Sequence, residues 1–133
     1  AAALPLPNIR PRWARAEELG RQPEYRGRFT VVVARAVAHL GLLIEYALPL
    51  LVPGGRLIAM KGPIGEEEIA QSTPALEALY GEVNEVRQQT VAGAGERLLI
   101  VIRALAPSPA KYPRNAAAMK KHPLYLDRPA TNP

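Results

Sequence analysis

The chain has 133 residues, enough for one domain with a substantial core and too few for two comfortable ones. Hydrophobic residues at 48% and charged residues at 22% exclude a disordered chain. The absence of cysteine excludes a disulfide framework, a thiolate metal site and a cysteine nucleophile, and fits a reducing cytoplasm. Of the net charge of +5, residues 111–128 hold +4, through Lys111, Arg114, Lys120, Lys121 and Arg128 against Asp127. A basic patch at one end predicts a polyanionic partner, RNA or DNA first, with a merely solubilising tail as the alternative.

Residues 1–12, rich in Ala and Pro, read as a lead-in segment. Without an initiator Met, residue 1 is not expected to be the natural start, and the first residues are not expected to be a signal peptide, lacking its basic-then-apolar pattern. Residues 13–21 read as helical or turn-like around Arg15-Ala16-Glu17-Glu18-Leu19, stopping at Gly20. Residues 29–34 are a β-branched apolar run that suits a strand buried on both faces, ending in Ala34-Arg35-Ala36-Val37-Ala38. Residues 39–51 are apolar almost all round, which predicts a largely covered helix. Glu45, Pro49 and Pro53 interrupt the apolar runs too often for a membrane span. Val52-Pro53-Gly54-Gly55 turns the chain into a second strand, Arg56-Leu57-Ile58-Ala59-Met60, ending on Lys61-Gly62. A strand–helix–strand unit builds a parallel sheet, and Arg35 and Lys61 fall at its carboxyl edge, where open α/β sheets bind ligands.

Glu66-Glu67-Glu68 opens another helix, with acids in the first turn as the helix dipole prefers. Pro74 predicts a restart, with Ser72 or Thr73 as N-cap and Leu76, Leu79 and Tyr80 on one face. Residues 82–91 and 97–103 read as an antiparallel hairpin joined at Ala92-Gly93-Ala94-Gly95, with residues 98–102 central to the sheet. From Pro107 onward the chain is rich in Pro, Lys and Arg, and its polar end is expected to be mobile. Trp13 and Tyr46 read as core or rim packing. No Ser/His/Asp set, paired-carboxylate cleft or metal-ligand spacing occurs, and His39 and His122 lie far apart in sequence.

The order of elements resembles the second half of a class I methyltransferase, and the Leu51 to Leu57 turn, Leu-x-Pro-Gly-Gly-Arg-Leu, is frequent at that place in the fold. Further motifs narrow the likeness: Arg15-Ala16-Glu17-Glu18-Leu19-Gly20; Ala34-Arg35-Ala36-Val37-Ala38; Leu48-Pro49-Leu50-Leu51; Met60-Lys61-Gly62; Glu96-Arg97-Leu98; Lys111-Tyr112-Pro113-Arg114; and Lys121-His122-Pro123-Leu124. In this order and spacing the chain resembles the bacterial 16S rRNA guanine-N7 methyltransferase family, also called glucose-inhibited division protein B, over residues 6–124. The resemblance implies an α/β, class I (Rossmann-like) S-adenosylmethionine-dependent methyltransferase fold, here lacking its first strands and closing on an antiparallel hairpin. Residues 13–106 would then be the C-terminal part of the methyltransferase domain and 107–133 a Pro-rich basic tail. It also implies S-adenosyl-L-methionine as cofactor and 16S rRNA or the small ribosomal subunit as partner. By the same resemblance Ala16, Glu17 and Arg35 contact the cofactor, while Lys61, Lys111, Arg114, Lys120 and Lys121 are candidate RNA contacts.

The departures are Thr30, Ala104, Ala117 and Met119, where the family carries Asp, Lys, Gly and Pro. The largest is the missing Gly-x-Gly-x-Gly loop and ribose-binding acid, which makes the chain read as a C-terminal portion. Methylation of guanine N7 needs no general base, because N7 carries a lone pair and no proton; orientation supplies up to ~7–11 kcal/mol in favourable cases. Two other readings stand beside this one: a non-catalytic RNA-binding module, and an α/β interaction protein whose exposed sheet edge pairs with a partner.

Overall fold

The computed structural model describes residues 14–35, 38–63, 65–93 and 95–126. The lead-in segment, Trp13, the Ala36-Val37 step and the polar end from 127 lie outside the described residues. The elements run α1 (Ala16–Leu19), β1 (Phe29–Arg35), α2 (Leu40–Ala47), a single 3-10 turn (Leu48–Leu50), β2 (Leu51–Lys61), α3 (Gly65–Gln71), α4 (Thr73–Leu79), β3 (Gly81–Val91), β4 (Gly95–Ala104) and α5 (Ala116–Lys121). Four strands form one sheet in the order β1-β2-β4-β3. β1 and β2 are parallel, joined by the α2 crossover; β2–β4 and β4–β3 are antiparallel.

The sheet is mixed because its connections differ. A parallel pair needs a long crossover, supplied by α2, whereas β3 and β4 are joined by a tight turn. Gly93 and Gly95 in that turn have φ of +79° and +75°, a left-handed backbone that glycine adopts without strain. β4 lies between two neighbours, as its uniformly apolar run predicts.

The second strand starts earlier than the sequence reading places it. α2 ends at Ala47, Leu51 already pairs with Phe29, and the next registered pair is Val31 with Arg56. Five steps of β2 thus stand against two of β1, and Pro53-Gly54-Gly55 forms a bulge inside the strand. α4 restarts with Ser72 at the N-cap and Pro74 in the first turn, as expected. The Ser72 hydroxyl donates to the Glu68 carbonyl at 2.6 Å and leaves the α4 amides uncapped. Tyr80 does not share the buried face of Leu79. It caps α4 in the left-handed region (φ 58°) and is exposed, because the chain must reverse there into β3. α5, a helix the sequence reading does not anticipate, starts at Asn115, whose side chain accepts from the Ala118 amide at 2.8 Å.

One sheet face carries the core. Leu57, Ala59, Leu98, Ile100 and Ile102 pack with Leu40, Ile44 and Leu48 from the α2 region, Ala75 and Leu79 from α4, and Tyr112 from the C-terminal segment. The other face carries Val31, Val33, Ile58, Met60, Leu99 and Val101, set there by the register and the period of two along each strand. The expectation that residues 29–34 are buried on both faces is therefore corrected. β1 alternates, with Phe29, Val31 and Val33 exposed, because it is an edge strand and no described helix contributes to a core on its second face.

Candidate functional site

The carboxyl edge of the parallel pair is where the expected site residues should meet. Arg35, the last residue of β1, is exposed there, in register with Met60. Lys61 ends β2 but turns inward and is 4% exposed. Its Nζ donates to the Ala38 carbonyl at 2.7 Å and pairs with Glu68 Oε1 at 2.8 Å. The same Glu68 oxygen accepts from the Leu40 amide, capping the first turn of α2 at 2.8 Å. Lys61 and Glu68 thus fasten the segment leaving β1, three to five residues beyond Arg35. Lys61, expected as an RNA contact, is held in a buried ion pair in which Glu68 offers the ammonium a desolvated carboxylate.

Arg114 follows the same pattern. Its Nε and Nη2 donate to the two carboxylate oxygens of Glu45 at 2.8 and 2.9 Å, and its backbone amide adds a third bond at 3.0 Å. Glu45 is almost wholly buried within the apolar face of α2. The hydrogen bond to Glu45, first among the causes, raises the Arg114 pKa against the opposing effect of burial. Arg114, expected as an RNA contact, is a fork on a buried carboxylate in this structure.

The loop between α1 and β1 completes this clamp. Arg26 donates through Nη1 to the Gly20 and Tyr112 carbonyls and through Nη2 to those of Ser108 and Pro109. Arg21 Nε donates to the Pro113 carbonyl at 2.9 Å. Burial, and then the nearby Arg21 charge, lower the Arg26 pKa. The Tyr112–Pro113 peptide is cis, Pro113 lies against Gly20, and Tyr112 is buried in the core. Further along, Tyr125 stacks on His39 with centroids 3.9 Å apart, and the Leu126 amide donates to the Gln71 carbonyl. His39 Nδ1 accepts from the Gly41 amide, so its Nε2 carries the proton donated to Gln71 Oε1 at 2.8 Å.

Among the expected cofactor contacts, Ala16 and Glu17 sit half-buried in α1, which packs against α2. Glu17 stands near the half-buried Tyr46 of α2; burial first, then Glu17, Glu45 and Tyr125, raises the Tyr46 pKa. α1 meets the fold through α2, whereas Arg35 meets it through β2. Of the expected RNA contacts, Lys111, Lys120 and Lys121 are exposed, the last two in the final turn of α5, and Lys111 Nζ lies 5.3 Å from the Tyr112 ring centre. The structure thus divides the eight candidates: Arg35, Lys111, Lys120 and Lys121 face solvent, Ala16 and Glu17 lie at a helix junction, and Lys61 and Arg114 hold the frame.

Sequence reasoning misses Glu45, Glu68, Arg26 and Arg21. Glu45 carries a readable signal, a lone carboxylate in an otherwise apolar helix. Arg26 carries none, because its acceptors are backbone carbonyls. Beside Pro63, on the same sheet edge, an open cavity of about 180 Å³ is lined by Glu66, Gln88, Glu96, Arg97 and Leu98. Among the described residues there is no group of three or more His, Asp or Glu able to hold a metal ion, and no helix long and apolar enough to cross a membrane.

Comparison with known proteins gives this geometry a context. A family model described as rRNA small subunit methyltransferase G matches residues 1–100. The ribosomal RNA small subunit methyltransferase G of Symbiobacterium thermophilum is 49% identical over 113 residues, 84% of this chain and 46% of that protein. Those of Deinococcus deserti and Deinococcus radiodurans are 47% and 45% identical over 126 residues, 94% of this chain and 52% and 50% of theirs. The chain spans about half the length of the curated relatives it matches. With a family match over most of its length, and a fold that supplies the parallel unit and hairpin its motifs imply, the chain belongs to the rRNA small subunit methyltransferase G family.

Proposed function

We propose that this chain forms part of an S-adenosylmethionine-dependent methyltransferase that modifies guanine N7 in 16S rRNA, acting in the cytoplasm on the small ribosomal subunit. The observation that carries the reading is the β1–α2–β2 unit with Arg35 exposed at its carboxyl edge, in a chain of this family. The residues present fit part of a cofactor site. The exposed Arg35 guanidinium suits the carboxylate of the methionine moiety, and Ala16 and Glu17, by the family resemblance, suit the adenine edge. When bound, S-adenosylmethionine supplies the methyl group on its sulfonium.

The chain's own residues orient the reactants. The Lys61–Glu68 pair holds the segment after β1, which fixes where Arg35 stands. The Glu45–Arg114 fork and Arg26 hold the C-terminal segment, which fixes where Lys111, Lys120 and Lys121 present their charges to RNA phosphates. Calorimetry on a polypeptide that adds the remaining half of the relatives' length should show binding of S-adenosylmethionine or its demethylated product, weakened about tenfold by Arg35→Ala. No binding to the extended polypeptide overturns the reading. The 133-residue chain itself should bind the cofactor weakly or not at all, so micromolar affinity would contradict that part.

The exposure of Lys120 and Lys121 on one helix turn favours a second reading, an RNA-binding module without catalysis. In that case the K120E/K121E variant should lose RNA binding; unchanged affinity at low salt would sink it.

A further inference from the structure

The open cavity beside Pro63 lies where the hairpin overruns its neighbour. β2 ends at Lys61, in register with Leu98, whereas β4 begins three residues earlier, at Gly95. The hairpin tip therefore projects past the carboxyl end of β2, on the sheet edge that carries Arg35. Gln88 stands opposite Leu98, and the period of two puts Glu96 on the same face, the one turned toward the core. Pro63 and Glu66, from the turn into α3, close the other side of the 180 Å³ space.

The polar groups of this cavity form a pattern. Gln88 Nε2 donates to Glu96 Oε1 at 3.3 Å. A carboxylate only accepts, so this bond fixes which end of the Gln88 amide is nitrogen and leaves its second N–H to donate. Glu66 has no hydrogen-bond or ion-pair partner among the described residues, so both its oxygens can accept as a fork. Pro63 and Leu98 add apolar surface, and Arg97 is turned onto the Glu96 carbonyl at 3.0 Å. Two carboxylates against one guanidinium disfavour a phosphate here, and a metal ion lacks a third ligand among the described residues. Guanine fits: its N1–H and N2–H2 donate side by side to a carboxylate, and the adjacent O6 accepts from an amide. Adenine would set an acceptor at N1 against the carboxylate, and hypoxanthine lacks the N2 donor. A guanine held by this edge turns N7, on its opposite edge, out of the cavity. We propose that the cavity takes a guanine base of RNA by its Watson–Crick edge, Glu66 accepting from N1–H and N2–H2, Gln88 donating to O6, and Glu96 orienting the Gln88 amide. The proposal rests on the reading that this chain serves guanine N7 methylation in rRNA, and it assigns the residues that select the base.

The test measures, by fluorescence anisotropy, how the 133-residue chain binds short labelled oligouridines whose central base is uracil, guanine, hypoxanthine or adenine. The guanine RNA should bind about tenfold tighter than the other three, the worth of a hydrogen bond to a charged group. Glu66→Gln sets an amide donor against N2–H2 and should erase that ratio. Gln88→Glu, which sets a carboxylate against O6, should do the same. Glu96→Gln should narrow the guanine-to-adenine ratio in particular, because a released Gln88 amide can present its oxygen to adenine N6–H2. A merely structural loss would scale all four RNAs together. Glu66, Gln88 and Glu96 are exposed, so each variant should melt at the wild-type temperature. Equal affinity for the four RNAs overturns the proposal, as does a guanine preference that survives Glu66→Gln. Saturable binding of free guanosine, without a preference among the RNAs, overturns RNA as the source of the base. A guanine preference in a chain whose extended form binds no S-adenosylmethionine would set aside the methyl-transfer reading and keep the cavity's assignment.

Discussion

Lys61 and Glu68 show how one pair serves both stability and site geometry. Glu68 accepts from Lys61 and from the Leu40 amide, so its charge and its lone pairs have separate tasks. Glu68→Gln keeps an acceptor for the amide but leaves the Lys61 ammonium buried without a counter-charge. Uncompensated buried charges cost about 3–5 kcal/mol, and urea unfolding of Glu68→Gln should show a loss in that range. A loss near zero would mean that water reaches Lys61. Tyr46 gives a pH signature. Its pKa is raised in the fold, so above pH 10 the unfolded chain gives up the phenolic proton more readily than the native one. The stabilisation is complete below pH 10 and is lost as pH rises through the folded value. Alkaline unfolding of the wild type should therefore fall more steeply than that of Tyr46→Phe; identical profiles would contradict it. Neither Lys61 nor Arg114 reveals its role in the sequence, because a cation looks the same whether it meets phosphate or carboxylate. Glu45 and Arg114 are 69 residues apart, a pairing no local pattern encodes.

α2 is the element on which most of the chain converges. It packs against α1, α3, α4 and β2, its N-terminus is capped by His39 and Glu68, and Glu45 on its side receives the C-terminal segment. Gly41 is the tight point, since a Cβ there would lie 2.7 Å from the Tyr125 Cβ. Alanine ordinarily favours a helix over glycine by about 1 kcal/mol, so Gly41→Ala sets a helix gain against a displaced tyrosine. Tyr125 is expected to leave the His39 ring, which frees the Leu126 amide from Gln71. Hydrogen exchange should show that amide losing protection while the core amides of β4 keep theirs; a still-protected Leu126 would refute the displacement. The strands of this fold are readable because β-branched runs and glycine turns act locally. The early start of β2 is hidden, since Pro53-Gly54-Gly55 has the chemistry of a loop and becomes a bulge only when Phe29 pairs with Leu51. α5 is hidden for another reason: a six-residue helix is held by its Asn115 cap and by the burial of Met119, both of which depend on where the segment docks.

At the scale of the molecule, core and C-terminal segment are packed into one another. Composition separates a Pro-rich basic tail from an apolar domain, yet Tyr112 is buried among the residues of the core and Arg114 neutralises Glu45. Removal of residues 107–133 would take Arg114 from the Glu45 carboxylate and Tyr112 from the core, leaving a charge without its partner in the apolar face of α2. A loss exceeding about 3 kcal/mol is expected, enough to leave such a piece largely unfolded by circular dichroism. A cooperative melt at the wild-type temperature would show the segment to be dispensable. The family and its fold are legible because motifs and element order are properties of sequence. The division between framing and solvent-facing cations is not, because burial is decided by the assembled whole.

Arg26 grips the C-terminal segment through the carbonyls of Ser108, Pro109 and Tyr112 and, among the described residues, through no hydrogen bond to a side chain of that segment. This part of the hold on the segment is thereby independent of which side chains stand at those three positions. If Lys111, Lys120 and Lys121 meet RNA as proposed, substitutions there would retune affinity without touching the carbonyls that Arg26 holds.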